Sequence, residues 1–242
     1  MSIENNRDSD RHGGGEVETA ILEAARDLLA EGGVAGLSMR QVADRVGVTA
    51  TAIYHYFDGK QAIVNRVVLS AFERFGAYLK AAMAPHPVGS VERLQALGEA
   101  YIRFAFENDA YFRVIFSIQP KNKADLTELP DGGGYNLLRD AVAEAVAAGT
   151  LRRCFDDDAA EGSQPPSMAE HIDNVSMYLW SLAHGIITLT LSGSSVDERC
   201  DLNRQSDTMN MLKAFFPLVT YGIREPCRRS GETNKEESSQ SE

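Results

Sequence analysis

The sequence predicts an all-α protein of about nine helices, and three observations support this fold class. Apolar residues recur at helical spacing in a series of separate segments, and no convincing period-2 alternation predicts a β-strand. Hydroxyl or acidic residues stand where several of these segments start and can cap a helix there. Glycine or proline follows most segments, as at Gly47, Pro85 and Gly149, where helices end.

The first two helices are predicted at residues 16–31 and 38–46. The first carries an apolar stripe and is expected to stop at Gly32-Gly33, while residues 1–15, polar and ending in three glycines, are expected to be disordered. The second begins at Ser38, which forms an S-x-x-Q capping box with Gln41, so each residue can satisfy a free backbone N–H of the other. This pair of helices starts the N-terminal part of the chain.

A third short helix follows a tight turn. Gly47 can adopt the left-handed conformation that ends a helix, and Thr49 is placed to cap the next one. Helical spacing then predicts that Ala52, Ile53 and Tyr56 point inward, and that the more exposed residues are Thr51, Tyr54 and His55. Helix, glycine turn and helix in this order predict a helix-turn-helix, a motif whose second helix enters the DNA major groove.

The remaining helices form a longer C-terminal part. Asp58 is expected to cap the next helix, with Gln61 completing a capping box, and Ser167 with Glu170 forms another box further on. Residues 119–134 and 152–166 are predicted loops, and the tail after Arg224 is expected to be disordered. The predicted helices are 59–82, 90–107, 110–118, 135–148, 167–191 and 202–221.

The charge of the chain is uneven. The formal net charge is −11, yet residues 38–66 contain four cations and two anions, so this segment is weakly basic within an acidic protein. That pattern fits contact with DNA over a small footprint and argues against a protein that coats DNA. Three widely spaced cysteines favour reduced thiols and offer no zinc site. With no signal peptide and no apolar run long enough to span a membrane, we expect a cytoplasmic protein.

Two segments resemble a known family. Residues 48–60, V-T-A-T-A-I-Y-H-Y-F-D-G-K, resemble the DNA-binding motif of the TetR family of transcriptional regulators, and the resemblance extends over about residues 16–62. Residues 180–191, W-S-L-A-H-G-I-I-T-L-T-L, resemble the W-x-x-x-H-G signature of one class of TetR-type C-terminal domains. The resemblance implies a three-helix DNA-binding head at 16–62, a helical effector-binding and dimerisation domain at 63–224, and tails at 1–15 and 225–242.

The resemblance and the chemistry of the side chains together indicate which residues contact DNA. Arg40 is either a solvated surface residue or a base or phosphate contact, and Tyr54 either packs in the core or reaches a phosphate. Lys60 opens a helix, where the macrodipole favours anions, and a bound phosphate would relieve this. Ala50 and Ala52 depart from the commoner family form, so thymine methyl contacts are expected in the readout. The candidate DNA contacts are Ser38, Arg40, Thr49, Ala50, Thr51, Tyr54, His55 and Lys60.

An apolar effector pocket is a second candidate site, and simple core packing is the alternative for each of its residues. Trp180 and His184 lie one helical turn apart and so share a face, either in a pocket or at an interface. The candidate pocket residues are Tyr101, Phe104, Phe112, Phe116, Tyr135, Met177, Trp180 and His184.

These features predict a dimeric repressor that binds a palindromic double-stranded DNA operator and is released by a small apolar or aromatic effector. It is expected to need no cofactor and no metal. Sequence does not separate this from an activator, or from a regulator controlled by a protein partner. An all-α enzyme using His171, His184, Asp173 or the Asp156–Asp158 run is the remote alternative, because no catalytic motif accompanies these residues.

Overall fold

A computed structural model describes residues 7–117, 134–151, 167–191, 208–210 and 213–214 of the chain. Within these ranges the structure is helical and contains no strand, which confirms the all-α prediction. Residues 208–210 and 213–214 are helical and fall inside the predicted last helix. The other helices are α1 (Arg7–Gly36), α2 (Met39–Val46), α3 (Ala50–Ile53), α4 (Lys60–Met83), α5 (Val91–Glu107), α6 (Asp109–Ser117), α7 (Tyr135–Ala147) and α8 (Met168–Leu191).

The chain divides into two compact units. The first is drawn from the residues up to Ala82 and from Ala100 to Leu137, and the second from Met83–Glu99 and from Leu138 onward. The first unit therefore contains the three N-terminal helices with nearly all of α4, whereas the second contains nearly all of α7 and the whole of α8.

Helix α1 begins at Arg7, nine residues before the predicted start at Glu16, so residues 7–15 are helical where disorder was expected. Glycine in a helix interior costs about 1 kcal/mol relative to alanine, which weakens a helix without forbidding it. The Thr19 hydroxyl also donates a hydrogen bond of 2.8 Å to the carbonyl oxygen of Gly15. The regular helix is interrupted at the predicted stop, because Gly33 has non-helical angles of φ 60° and ψ −164°, and a short helical turn follows it up to Gly36.

The core of the three N-terminal helices is apolar and closed. Ile21 and Leu29 of α1 and Val42 of α2 are buried, and Ile53 of α3 is fully excluded from solvent at 0% exposure. Leu37, in the link before α2, is 1% exposed and so belongs to the same buried core. The three short elements thus share one apolar centre, which fixes their mutual orientation.

The start of α4 differs from the prediction in one detail. The residue that precedes Lys60 is Gly59, which has a φ of 115° and no side chain to cap the helix. The Gln61 amide instead donates along the helix to Oδ1 of Asn65 at 2.8 Å. The capping box predicted between Asp58 and Gln61 is therefore wrong, because the helix starts one residue later than a box at Asp58 needs.

The second unit is tied together by a part-buried arginine. Arg93 Nη1 donates to the carbonyl oxygens of Met83 at 3.0 Å and His86 at 3.3 Å, just where α4 ends. Its Nε lies 3.3 Å from Oε2 of Glu144 on α7. One guanidinium therefore satisfies carbonyls at the end of α4 and pairs with α7.

The start of α8 carries the second predicted capping box in full. The Ser167 N–H donates to Oε2 of Glu170 at 2.8 Å, and the Glu170 N–H donates to the Ser167 hydroxyl oxygen at 3.3 Å. At its other end, the Oγ1 atoms of Thr190 and Thr208 lie 3.3 Å apart, and both threonines are buried. Helix α8 is thus fixed at both ends within the second unit.

Candidate nucleic-acid interface

The turn between α2 and α3 is built by capping and by one left-handed glycine. Ser38 is extended, with φ −134° and ψ 152°, and its hydroxyl oxygen accepts the N–H of Gln41 at 3.2 Å. The hydroxyl also donates to Oε1 of Gln41 at 2.6 Å. The Gln41 side chain was predicted to accept the backbone N–H of Ser38, and it accepts the Ser38 hydroxyl in its place. Gly47 adopts φ 79°, and its N–H closes the helix on the Ala43 carbonyl oxygen at 2.9 Å.

Helix α3 is a single turn, and backbone hydrogen bonds continue it beyond its last residue. The Thr49 hydroxyl oxygen accepts the Ala52 N–H at 3.1 Å, which confirms Thr49 as the cap. Beyond Ile53 the chain continues through i→i−3 bonds, from His55 to Ala52 at 3.2 Å and from Tyr56 to Ile53 at 2.9 Å. Residues 50–56 therefore form one tightened helical segment, shorter than a regular recognition helix.

The side chains of this segment separate into one buried anchor and several exposed groups. Thr51, Tyr54 and His55 are exposed, as predicted, and the 57% exposure of Tyr54 contradicts the core-packing alternative for it. Tyr56 was predicted to point inward and is 38% exposed, so this prediction is wrong. Phe57, 8% exposed, takes the inward place: its N–H donates to the carbonyl oxygen of Ile53 at 3.0 Å, so its side chain lies one helical turn after that of the buried Ile53.

The cations of residues 38–66 differ in how far acidic groups neutralise them. Arg45 Nη2 lies 3.0 Å from both carboxylate oxygens of Glu31, and Arg66 lies 3.7 Å from Glu73. The side chain of Arg40 is 88% exposed, and its Nε lies 3.9 Å from Asp44, the limit of an ion pair. Arg40 is thus available to another partner.

Lys60 is the first residue of α4, and the first turn of that helix contains no acidic residue. No carboxylate lies within 4.0 Å of its ammonium group in the part of the chain that the structure describes. A cation at the positive end of a helix dipole is unfavourable unless an anion binds there. In the folded chain Lys60 therefore stands where a bound anion would be stabilised, as expected from the sequence.

The predicted DNA contacts all fall in the short stretch from Ser38 to Lys60, carried by α2, the turn, α3 and the first turn of α4. Ser38 and Thr49 are exposed caps, and Ala50 is half-buried at the start of α3. Tyr56 is an exposed neighbour that the sequence-based assignment missed. It was missed because a regular helical period, continued from Ile53, places the Tyr56 side chain on the buried face.

The candidate pocket residues of the first unit gather around a ring that was not assigned to the pocket, Phe75 of α4. Its ring centroid lies 4.9 Å from Phe104, 5.5 Å from Tyr101 and 6.4 Å from Phe116. Phe112 completes the group at 4.6 Å from Phe116. We call these five residues the Phe75 cluster.

Glycine is required beside this cluster. Gly134, just before α7, has a φ of 88°, and a Cβ there would lie 2.4 Å from Cε1 of Phe75. Phe75 is 2% exposed, so its ring has no room to move away. Tyr135, the next candidate pocket residue, is half-buried at the first position of α7.

The other candidate pocket residues lie on α8 in the second unit. The rings of Trp180 and His184 are stacked, with centroids 5.3 Å apart and planes inclined by 20°, which confirms their shared face. Burial lowers the pKa of His184 below its ordinary value. Met177 is 48% exposed, so in the single chain it does not lie in a closed pocket.

Helix α8 also presents an exposed stripe. Met177, Tyr178 and Leu189 are 48%, 58% and 48% exposed, and at 100° per residue they lie within about 120° of one another around the helix. Ser181 and Thr188, both exposed, fall in the same sector. Apolar and small polar side chains therefore face outward along most of the length of α8.

Within the described ranges, no three His, Cys, Asp or Glu side chains are grouped so that they could bind a metal ion. None of the described helices has the length and apolar character needed to cross a bilayer.

Comparison with protein families gives two matches that follow one another along the chain. Residues 21–67 match bacterial regulatory proteins of the tetR family. Residues 94–206 match a tetracyclin repressor-like C-terminal domain. The first match contains every candidate DNA contact, and the second contains all of the candidate pocket residues.

Named relatives agree with these matches. The chain is 33% identical over 61 residues to the HTH-type transcriptional repressor KstR2 of Rhodococcus jostii, which is 25% of this chain and 30% of that protein. It is 26% identical over 147 residues to KstR2 of Mycolicibacterium smegmatis, covering 57% of this chain and 69% of that one. The similarity thus spans less than a third of the first relative and about two thirds of the second.

The fold has solved neighbours as well. The ketosteroid transcriptional regulator KstR2 of Mycobacterium tuberculosis superimposes with a TM-score of 0.59 at 17% identity, covering 86% of this chain and 95% of the other. At this identity the superposition shows the fold alone. Because these named relatives are transcriptional regulators, the enzyme alternative finds no support among them.

Proposed function

Because the chain belongs to the TetR family of bacterial regulatory proteins, we propose that it is a sequence-specific DNA-binding transcriptional repressor. The observation that carries this proposal is that Arg40, Thr51 and Tyr54 are exposed on the helix-turn-helix, and that Lys60 begins α4 with no acidic residue in its first turn. Side chains with hydrogen-bonding groups and available positive charge are the groups that contact bases and phosphates. Such a regulator acts where the chromosome lies, which in a bacterium is the cytoplasm.

Each of these residues has a proposed role. Arg40, with its guanidinium exposed to solvent, would donate a bidentate pair of hydrogen bonds to a guanine, and Thr51 would contact a base edge or a thymine methyl group. The Tyr54 hydroxyl would donate to a phosphate. Lys60 would bind a second phosphate at the start of α4, where the helix dipole adds to its attraction. His55, the capping residues Ser38 and Thr49, and Ala50 at the start of α3 would flank these contacts.

We further propose that two copies of the chain act together. The exposed stripe of Met177, Tyr178 and Leu189 on α8 is a surface that a second copy would cover, since exposed apolar stripes of this kind mark interfaces. Two copies related by a two-fold axis would present two heads to successive major grooves, roughly 34–36 Å apart, and so read a palindromic site. Residues 16–62 would be the DNA-binding domain and residues 63–224 the effector-binding and dimerisation domain.

A small apolar effector is the proposed signal for release. Support comes from the aromatic rings of the Phe75 cluster, and from Trp180 and His184 in the W-x-x-x-H-G stretch of α8. A solved neighbour is described as a ketosteroid transcriptional regulator, which makes polycyclic apolar compounds the first class to test. Release requires only that the effector binds two head spacings with different affinity, with α4 connecting the head to the effector domain. An activator, or a regulator controlled by a protein partner, remains the alternative within the same fold.

Selection of bound fragments from random and genomic DNA tests the proposal, followed by measurement of operator affinity across a salt series. We expect a palindromic consensus and a log–log salt slope of about −0.9 for each phosphate neutralised. Selected fragments without any shared sequence would refute sequence-specific binding. Expression of a reporter placed behind the selected site then separates the two regulatory modes, because a repressor lowers it and an activator raises it.

A further inference from the structure

Two arginines from different helices contact the ring of Tyr111 on α6. The guanidinium carbon of Arg26, on α1, is 5.0 Å from the centroid of the Tyr111 ring. The guanidinium carbon of Arg74, on α4, is 5.2 Å from the same centroid. Both distances fall within the range of a cation–π interaction, so one ring attracts cations from two elements. Helix α1 also packs along α6, which makes this contact part of a longer interface inside the first unit.

Both arginines are held in place by neighbouring polar groups. Arg26 Nη2 lies 2.7 Å from Oδ1 of Asp27, and the side chain of Arg26 is 23% exposed. Arg74 Nε donates to Oδ1 of Asn108 at 3.1 Å, at the junction between α5 and α6. A cation–π contact strengthens as it loses water, and anchored guanidinium groups give up little rotamer freedom to form it. We call Arg26, Tyr111 and Arg74 the arginine clamp.

Helix α6 also carries two of the five residues of the Phe75 cluster. Phe112 and Phe116 lie one and five residues after Tyr111, and their rings pack against Tyr101 at 5.9 Å and 6.1 Å. A displacement of α6 that repacks Phe112 or Phe116 must therefore move Tyr111 relative to Arg26 and Arg74. Arg26 belongs to α1, whose buried residues Ile21 and Leu29 form the core of the DNA-binding head.

We infer that Tyr111, held between Arg26 and Arg74, is the positioning residue through which a change in the packing of the Phe75 cluster alters affinity for DNA. This inference rests on the proposed function, since it concerns how the same DNA-binding surface is regulated. It needs no contact between Tyr111 and either DNA or effector. A packed contact with two alternative arrangements is enough to couple the two sites.

A double-mutant cycle tests this without a known effector. Phe116→Leu disturbs the cluster, and Tyr111→Leu removes the aromatic face of the clamp while keeping an apolar side chain at this position. We expect Phe116→Leu to change the dissociation constant for the selected operator duplex by at least about fivefold in the wild type, and by less than about twofold in the Tyr111→Leu background. Tyr111→Phe keeps the ring face and should restore the full response.

Two arginine variants provide matched controls. Arg74→Gln removes one cation from the clamp, and Arg113→Gln removes the same charge from an exposed residue of α6 that pairs with Asp109 at 2.9 Å. We expect Arg74→Gln to suppress the response to Phe116→Leu and Arg113→Gln to preserve it. Arg74→Gln also carries the test if Tyr111→Leu does not fold, as judged by circular dichroism and thermal melting.

Three outcomes would overturn the inference. The first is an equal response to Phe116→Leu with and without the clamp, and the second is the absence of a response in the wild type. The third is an equal loss of response in Arg74→Gln and Arg113→Gln, which would indicate net charge. If the wild type selects no DNA, the proposed function fails by itself. Amide hydrogen exchange of residues 21–29 then replaces operator affinity as the readout of the same cycle, with the same fold-changes expected.

Discussion

Arg40 is the exposed cation whose role most clearly separates base reading from phosphate contact. Its side chain is 88% exposed and only loosely paired with Asp44. If Arg40 donates two hydrogen bonds to a guanine, Arg40→Ala should cost about 1–3 kcal/mol of discrimination at one base pair of each half-site. The measurement is affinity for the consensus duplex and for each single-base variant of it. Equal weakening on all duplexes would assign Arg40 to a phosphate.

Lys60 should behave differently, because it begins α4 and the first turn of that helix contains no acidic residue. Lys60→Gln should weaken binding to every duplex by a similar factor. It should also make the salt slope shallower by about 0.9 for each phosphate that the variant no longer neutralises. Gln61→Asn, on the same turn as Lys60, changes no charge and is the matched control. An unchanged slope in Lys60→Gln would rule out its binding to a phosphate.

Glu170 gives a pH-dependent prediction. Hydrogen bonds from the backbone N–H and the hydroxyl of Ser167 hold the pKa of Glu170 below its ordinary value of 4.5. The folded chain therefore favours the carboxylate, and its contribution to stability is fully present above pH 4.5 and lost as the pH falls through the lower, folded-state pKa. Glu170→Gln should lower the urea midpoint at pH 6.5 more than at pH 3.5.

The control for this pH dependence is Glu23→Gln, in an exposed position in the interior of α1. It removes a carboxylate that caps no helix, so its effect on the midpoint should be small at both pH values. A difference between wild type and Glu170→Gln that is the same at both pH values would contradict the prediction.

At the scale of elements, the turn between α2 and α3 depends on the left-handed conformation of Gly47. An added Cβ would meet no atom within 4 Å there, so the cost of Gly47→Ala comes from φ 79° alone. We expect a loss of about 1–2 kcal/mol in the free energy of unfolding. Gly32→Ala makes the same change in open space at a helical position of α1 and should stabilise by about 0.5–1 kcal/mol. Urea unfolding at equal protein concentration measures both, and equal signs would contradict this explanation.

Local chemistry made the elements around this turn predictable from the sequence. Ser38, Gly47 and Thr49 indicate a cap, a stop and a second cap, and each bond closes within five residues. Two predictions were wrong because they depended on the exact backbone geometry after Ile53 and on the exact first residue of α4, which residue types do not indicate. Tyr56 was assigned by a regular helical period that the i→i−3 bonds of residues 52–56 break. Gln61 was predicted to complete a capping box with Asp58, but α4 begins at Lys60, and the Gln61 side chain donates a hydrogen bond to Asn65.

Contacts between residues far apart in the chain could not be predicted from the sequence. Arg26 and Tyr111 are 85 positions apart, and nothing in their local patterns couples them. The rings around Phe75 were partly predicted as a group, because each lies on the apolar side of its helix, yet their packing on Phe75 and the glycine at 134 depend on tertiary structure. Apolar patterns predict which side chains are buried, and the partners of those side chains come from the fold.

At the scale of the whole molecule, the proposed dimer predicts that charge on the exposed face of α8 separates the copies. Met177→Asp with Leu189→Asp should convert a dimer to a monomer in sedimentation equilibrium. Operator affinity should fall at least about a hundredfold, because the second head loses its effective concentration. Val88→Asp, an apolar residue 68% exposed outside α8, is the matched control and should remain dimeric. A wild type that sediments as a monomer at micromolar concentration would refute the dimer.

The ion pairs of the head also bear on how the protein finds its site among many wrong ones. Among the four cations of residues 38–66, Arg45 pairs with Glu31 and Arg66 lies 3.7 Å from Glu73, so only Arg40 and Lys60 of this segment keep most of their charge for arbitrary DNA. Weak attachment to random sequence shortens each non-productive stop during the search and leaves more protein unbound in solution. Occupancy of the operator then depends mainly on the ratio of specific to non-specific affinity, multiplied by the number of competing sites in the genome. A few acidic partners on α1 and α4 thus favour rapid rejection of the wrong sequence.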